Sequence, residues 1–209
     1  MSDKFYVVID PGHGGKDGGA VGNGLLEKNL TLDISKYMYE KFKELGIPVY
    51  LTRDKDEDLP KDERIKRITS AFGKGSDVIV ISNHINAGGG EGAEVIYALR
   101  NKPDLSERIL NNIAEAGQKI RKIYQKRLPS NNSKDYYYII RETPNNETII
   151  VEYGFIDNTK DASRIKNNYK KYVDGVINAI LEYKGIDKTL ESSYIVKPGD
   201  TFFMGNNEY

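Results

Sequence analysis

Four consecutive aliphatic residues, Val78, Ile79, Val80 and Ile81, stand between Asp77 and Ser82. A strand with one face in water alternates apolar and polar side chains. An unbroken run of this length fits a strand covered on both faces, as in the interior of a parallel sheet. Such a sheet needs helices above and below it, and the surrounding sequence supplies them.

Residues 5–9, 49–52, 93–99, 137–140 and 148–155 read as further strands, rich in Val, Ile and Tyr. Between them apolar residues recur at helical spacing. Leu30, Ile34, Tyr37, Met38, Phe42 and Leu45 predict one helix, stopped by Gly46. Ile65, Ile68 and Phe72 predict a shorter one, Leu105 through Ile123 a long one, and Ile165 through Leu181 the last. The expected fold is therefore α/β: one domain over residues 1–184, a mostly parallel twisted sheet of about six strands, and helices on both faces. The length of 209 residues fits this. Sites in such sheets form beyond the carboxyl ends of the strands. Two glycine-rich loops, 11–24 and 87–92, leave such ends.

Formal net charge is zero, so no global field argues for nucleic acid as a partner. No run is apolar enough to predict a membrane span or a signal peptide. Cysteine is absent, so a metal site must be built from histidine and carboxylate.

The chain has only two histidines, His13 in the first loop and His84 at the end of the third strand. If those strands are neighbours, both imidazoles reach one rim of the sheet. Two histidines and one carboxylate leave an open position for water, which is the catalytic kind of zinc site. Glu27, just ahead of the first helix, is the best third ligand. Competing readings stand beside this one. A glycine-rich loop after a first strand commonly cradles phosphate, although the P-loop and dinucleotide spacings are missing here. A glutamate at a helix start commonly supports the helix N-terminus. Glu152 lies within the apolar run 148–155. A carboxylate there is either solvated at the strand end or a buried acid/base of raised pKa.

Five segments, in order, resemble the zinc-dependent N-acetylmuramoyl-L-alanine amidases of the amidase type 3 family. They are VVIDPGHGGKDGGA (7–20), GLLEKNLTL (24–32), LTR (51–53), ISNHINA (81–87) and IVEYGFIDN (150–158). The resemblance runs from about residue 5 to 184. It implies a Zn2+ ion held by His13, Glu27 and His84, with Glu152 as catalytic acid/base. It also implies peptidoglycan as partner and hydrolysis of the amide joining N-acetylmuramic acid to L-alanine. Arg141 matches a stretch bordering the cleft and is a candidate substrate contact, as is Asn86; Ser82 and Asn83 are candidates for orienting a ligand. Two positions depart from the family pattern: Asn83, where isoleucine is common, and 145–148, where Pro-Ala is usual. The rival functions are a zinc carboxypeptidase or endopeptidase of the stem peptide and a non-catalytic wall-binding protein.

Residues 194–201, YIVKPGDT, resemble the opening of a LysM glycan-binding module. Residues 185–193 read as a linker and 194–209 as a truncated remnant or tail. The expected protein is a monomer without membrane insertion. It is made without an export signal and reaches the wall after cell lysis, as a phage or prophage endolysin or as an autolysin freed by mother-cell lysis.

Overall fold

A computed structural model describes residues 4–186. In chain order the elements are β1 (Tyr6–Pro11), β2 (Val21–Gly22), β3 (Leu25–Leu26), α1 (Glu27–Glu44), β4 (Val49–Leu51), α2 (Lys61–Ala71), β5 (Val78–Asn86) and β6 (Ala93–Tyr97). There follow α3 (Asp104–Glu115), β7 (Ile120–Tyr124), β8 (Arg127–Leu128), β9 (Asn131–Asp135), α4 (Tyr138–Arg141), β10 (Glu147–Phe155) and α5 (Thr159–Tyr183).

Six strands form the main sheet in the order β4-β1-β5-β10-β6-β7. All neighbours pair in parallel except β10 with β6. The aliphatic run of β5 lies at the centre, and its four side chains have no exposure. Ile79 and Ile81 enter a core closed by α1, α3 and α5. Val78 and Val80 enter a second core beneath α2 and α4. Each such side chain stabilises the fold by roughly 1.5–3 kcal/mol. One strand thus joins both layers, as the missing alternation requires.

Two expected elements differ. Residues 137–140 form no strand; 138–141 make one helical turn, closed by Ile140 and Arg141 amides donating to the Tyr137 carbonyl. Ile139 and Ile140 are both buried against the second core, which a turn permits at adjacent positions. The long helix expected through Ile123 stops at Glu115. Gly117, at φ 103°, turns the chain in a conformation that favours glycine. Ile120 and Ile123 continue as the edge strand β7, the sixth strand of the sheet. The helical spacing of those two isoleucines is coincidental across the break.

None of the helices among the described residues is long and apolar enough to cross a membrane. Residues 187–193 of the expected linker and the LysM-like segment 194–209 lie outside the described residues.

Candidate metal centre and cleft

Strands β1 and β5 are hydrogen-bonded neighbours, so the segments that follow or end them meet at one rim. His13 follows β1 with φ 60°, an uncommon conformation for a non-glycine residue. Its Nδ1 lies 2.9 Å from Asp17 Oδ2, and its Nε2 lies 3.1 Å from Glu27 Oε1. His84, near the end of β5, places Nδ1 3.1 Å from the same Glu27 oxygen. Glu27 opens α1 and is buried. Its Oε1 also accepts the Ile85 amide, and its Oε2 accepts the Ala20 amide. One carboxylate therefore fixes β5, the first loop and α1 around a single point.

The His13, Glu27 and His84 donor atoms all lie within 4.8 Å of one another. Zinc bonds of about 2.0–2.1 Å in a tetrahedron set ligand atoms roughly 3.3 Å apart, close to the spacing here. The electrostatics fit a cation as well. Burial alone would push the His13 pKa down, but the Glu27 and Asp17 carboxylates outweigh it and hold it above the ordinary value. Burial alone would raise Glu27, but His13 and His84 outweigh it and hold that carboxyl well below the usual carboxylate range. The cluster favours positive charge at its centre. Two nitrogens and an oxygen are the donor set that zinc takes in catalytic sites.

Glycine makes the convergence possible. A Cβ built on Gly12 would lie 2.3 Å from His84 Cε1. At Gly19 it would lie 2.6 Å from Glu27 Oε2 and 2.7 Å from His13 Cδ2, with φ also positive. The loop packs its backbone against the very side chains it presents.

Glu152 stands beside His84 in the β5–β10 register and so shares its face of the sheet. The residue as a whole is part-exposed, but its Oε2 is buried and has no hydrogen-bond partner within the described residues. Burial, reinforced by Glu27 and opposed by His84 and His13, pushes this carboxyl up to about 7. An orphaned acid of near-neutral pKa beside three converging donors is suited to receive and return a proton.

Beneath the first loop lies a polar network that the sequence did not announce. Asp10 accepts from Thr52 Oγ1 at 2.7 Å, Arg64 Nη1 at 2.7 Å and Ser82 Oγ at 2.9 Å. Arg64 also donates to the carbonyls of Pro11 and His13. Arg53, 1% exposed, donates to those of Pro11, Gly12 and Lys28. These cations satisfy carbonyls that the loop leaves unpaired. Asn83 is explained too. It donates to Ser35 Oγ at 2.8 Å and accepts from Tyr153 at 3.0 Å, linking α1, β5 and β10.

The remaining candidates make hydrogen bonds within the protein. Asn86 donates to Glu94 Oε2 at 3.1 Å and accepts from the Ala87 amide. Arg141 donates to the carbonyls of Asp135 and Tyr136, both at 2.7 Å, tying α4 to the end of β9. It is not among the residues that line the cleft, and its observed contacts are those of a strut. The 87–92 loop is pinned by Asp157, Asn158 and Asp161, which bond to Gly88, Gly89, Gly90 and Gly92. It does not line the cleft either. That cleft, about 610 Å³, is lined by His13 and His84 together with Asp10, Lys16, Lys61, Arg64, Tyr137 and Tyr138.

A family model described as N-acetylmuramoyl-L-alanine amidase matches residues 7–182. The uncharacterised protein YqiI of Bacillus subtilis is 32% identical over 182 residues, covering 85% of this chain and 84% of its own. The N-acetylmuramoyl-L-alanine amidase CwlM of Bacillus licheniformis is 30% identical over 198 residues, covering 91% and 73%. Among solved structures, the N-acetylmuramoyl-L-alanine amidase AmiC2 of Nostoc punctiforme superposes with a TM-score of 0.73 at 29% identity. That match covers 88% of this chain and 98% of AmiC2.

Proposed function

This chain belongs to the N-acetylmuramoyl-L-alanine amidase family, and on that premise we propose that it hydrolyses the amide between N-acetylmuramic acid and L-alanine in peptidoglycan, with zinc held by His13, Glu27 and His84. It is a peptidoglycan hydrolase, and its place of action is the wall itself. The observation that carries the reading is the convergence of those three donor sets on one point, 3.1 Å from either imidazole to the shared carboxylate oxygen.

Zinc, when bound, supplies Lewis acidity to polarise the scissile carbonyl and to acidify water. The chain's own groups do the rest. Asp17 holds His13 Nδ1 and so turns Nε2 toward the centre, as outer partners of ligand histidines do. Glu27 supplies the compensating negative charge. Glu152 accepts the proton of the attacking water and delivers it to the departing alanine nitrogen. The route is general acid/base catalysis by one carboxyl, with no covalent attachment to the chain.

The test is digestion of purified walls before and after chelation, followed by identification of the new ends. Metal-dependent appearance of free amino groups on L-alanine supports the proposal. New ends elsewhere in the stem peptide point to a peptidase. Binding to walls without release points to a non-catalytic protein. Undiminished release after exhaustive metal stripping sinks the metal site.

A further inference from the structure

The two sides of Glu152 differ in charge. On one side lies the cleft, whose walls carry Asp10, Asp17 and Asp58 against Lys16, Lys61 and Arg64, three acids and three bases. On the other side the sheet continues through β6 to the edge strand β7. The register Glu152–Glu94–Lys122 puts these three residues on the same face. Residues 116–134, spanning β7 and most of the β8–β9 hairpin, contain six Lys and Arg and no acid, in a chain of zero net charge. The nearest acid of the sheet, Glu94, is 1% exposed and is shared by Arg121 and Lys122. One carboxylate facing two cations leaves positive charge over.

Tyrosines connect this basic band to the cleft. Tyr137 lines the cleft, and its hydroxyl lies 3.5 Å from that of Tyr124 on β7. Burial and Tyr137 raise the Tyr124 pKa; Glu152 adds to the rise and Arg121 opposes it, so this phenol stands in the field of both. Lys122 lies 4.2 Å from the Tyr124 ring centroid, and Lys126 lies 4.0 Å from that of Tyr136.

We propose that this band receives the acidic stem peptide, with Arg121 and Lys122 binding a carboxylate within the first three residues beyond the scissile amide, while the sugar occupies the charge-balanced cleft. The inference rests on the amidase reading above and gives the substrate its direction across the sheet. Glu152 and Lys122 are two strand spacings apart, roughly 10 Å, which an extended peptide covers in about three residues. The Arg121 and Lys122 side chains are long and exposed, at 40% and 48%. Glu94 fixes the guanidinium of Arg121, which lowers the cost of ordering it on binding.

Two probes test this: N-acetylmuramoyl-L-alanyl-D-glutamate with both carboxyls free, and its diamide. Zinc-loaded wild type is expected to favour the diacid by about tenfold in kcat/KM, the size of one charge-assisted hydrogen bond. In R121Q/K122Q that ratio falls to about one. NMR titration of the metal-free protein gives a readout independent of turnover. The diacid is expected to shift the resonances of residues 120–124, less so with added salt, and the diamide is not. This arm needs no variant, so instability caused by leaving Glu94 unpaired does not spoil it. A wild type blind to the difference, or a ratio that survives in the double variant, overturns the proposal. Stronger shifts with a poly(glycerol phosphate) of matched charge also overturn it, by assigning the band to a wall polyanion. Failure to free the α-amino group of L-alanine in either the probes or walls fails the amidase reading instead, and the titration still decides the band.

Discussion

Gly12 is where the demands on a single residue are most severe. Its Cα approaches the His84 ring so closely that a methyl group cannot be added without moving the imidazole. Gly12→Ala is therefore expected to displace His84 and weaken zinc binding at least tenfold with little loss of fold, since ligand misplacement by a fraction of an ångström spoils a metal site. Competition with a chromophoric chelator measures the affinity, and wild-type affinity in this variant contradicts the described packing. Glu152 makes a prediction of a different kind. Its folded-state pKa is raised by burial from 4.5 to about 7. Between those values the folded metal-free chain holds a proton that the unfolded chain has lost. Its stability must then fall as pH rises from about 4.5 to 7 and level off above. The gap corresponds to about 3 kcal/mol. Glu152→Gln removes the titration, so the metal-free variant should gain that much on wild type between pH 4.5 and 8. Urea unfolding at the two pH values gives the comparison, and parallel behaviour of the two proteins means that Glu152 ionises like a solvated carboxylate.

The elements nearest the site are tied to it by buried charge. Arg64 on α2 reaches across to Asp10 on β1 and to the His13 carbonyl, with both charged side chains almost wholly buried. Removing one partner of such a pair leaves the other desolvated and costs about 3–5 kcal/mol. Arg64→Met is expected to lose that much by urea unfolding, and a loss under 1 kcal/mol means that α2 is held by apolar contacts alone. None of this was legible in the sequence, because an arginine on a polar helix gives no sign of reaching inward. Glu94 did leave a sign. It interrupts the apolar run 93–97 just as Glu152 interrupts its own, and the desolvation argument applied to one fits both. The metal-site candidates were legible because histidine is scarce here and both copies follow or end strongly patterned strands. The misread elements, 116–123 and 137–140, have in common that tertiary contacts overrode local spacing. Gly117 ended a helix whose apolar period ran on by chance, and two adjacent isoleucines turned inward against α2's core instead of alternating.

On the scale of the whole molecule, the three candidate ligands join segments that nothing local holds together. His13 leaves β1, Glu27 begins α1 and His84 ends β5, and their donor atoms meet only when the sheet has formed in register. An unfolded chain offers no such site, so zinc binding and folding share one free energy. At a hundred times its dissociation constant, zinc should add about 2.7 kcal/mol to stability. For a chain of this size that raises Tm by roughly 5–10 °C. The gain must shrink in acid, and the sign follows from His13. Its neighbours Glu27 and Asp17 outweigh burial and hold its pKa above the ordinary histidine value, so a proton competes more strongly with the metal at Nε2 as pH falls. Differential scanning calorimetry of the metal-free and zinc-loaded protein at pH 8 and pH 5 should show the shift at the higher pH and little at the lower. The His84→Ala variant should show little at either. Coincident melting of both forms at pH 8 would separate folding from the metal and remove the basis for treating the triad as a zinc site.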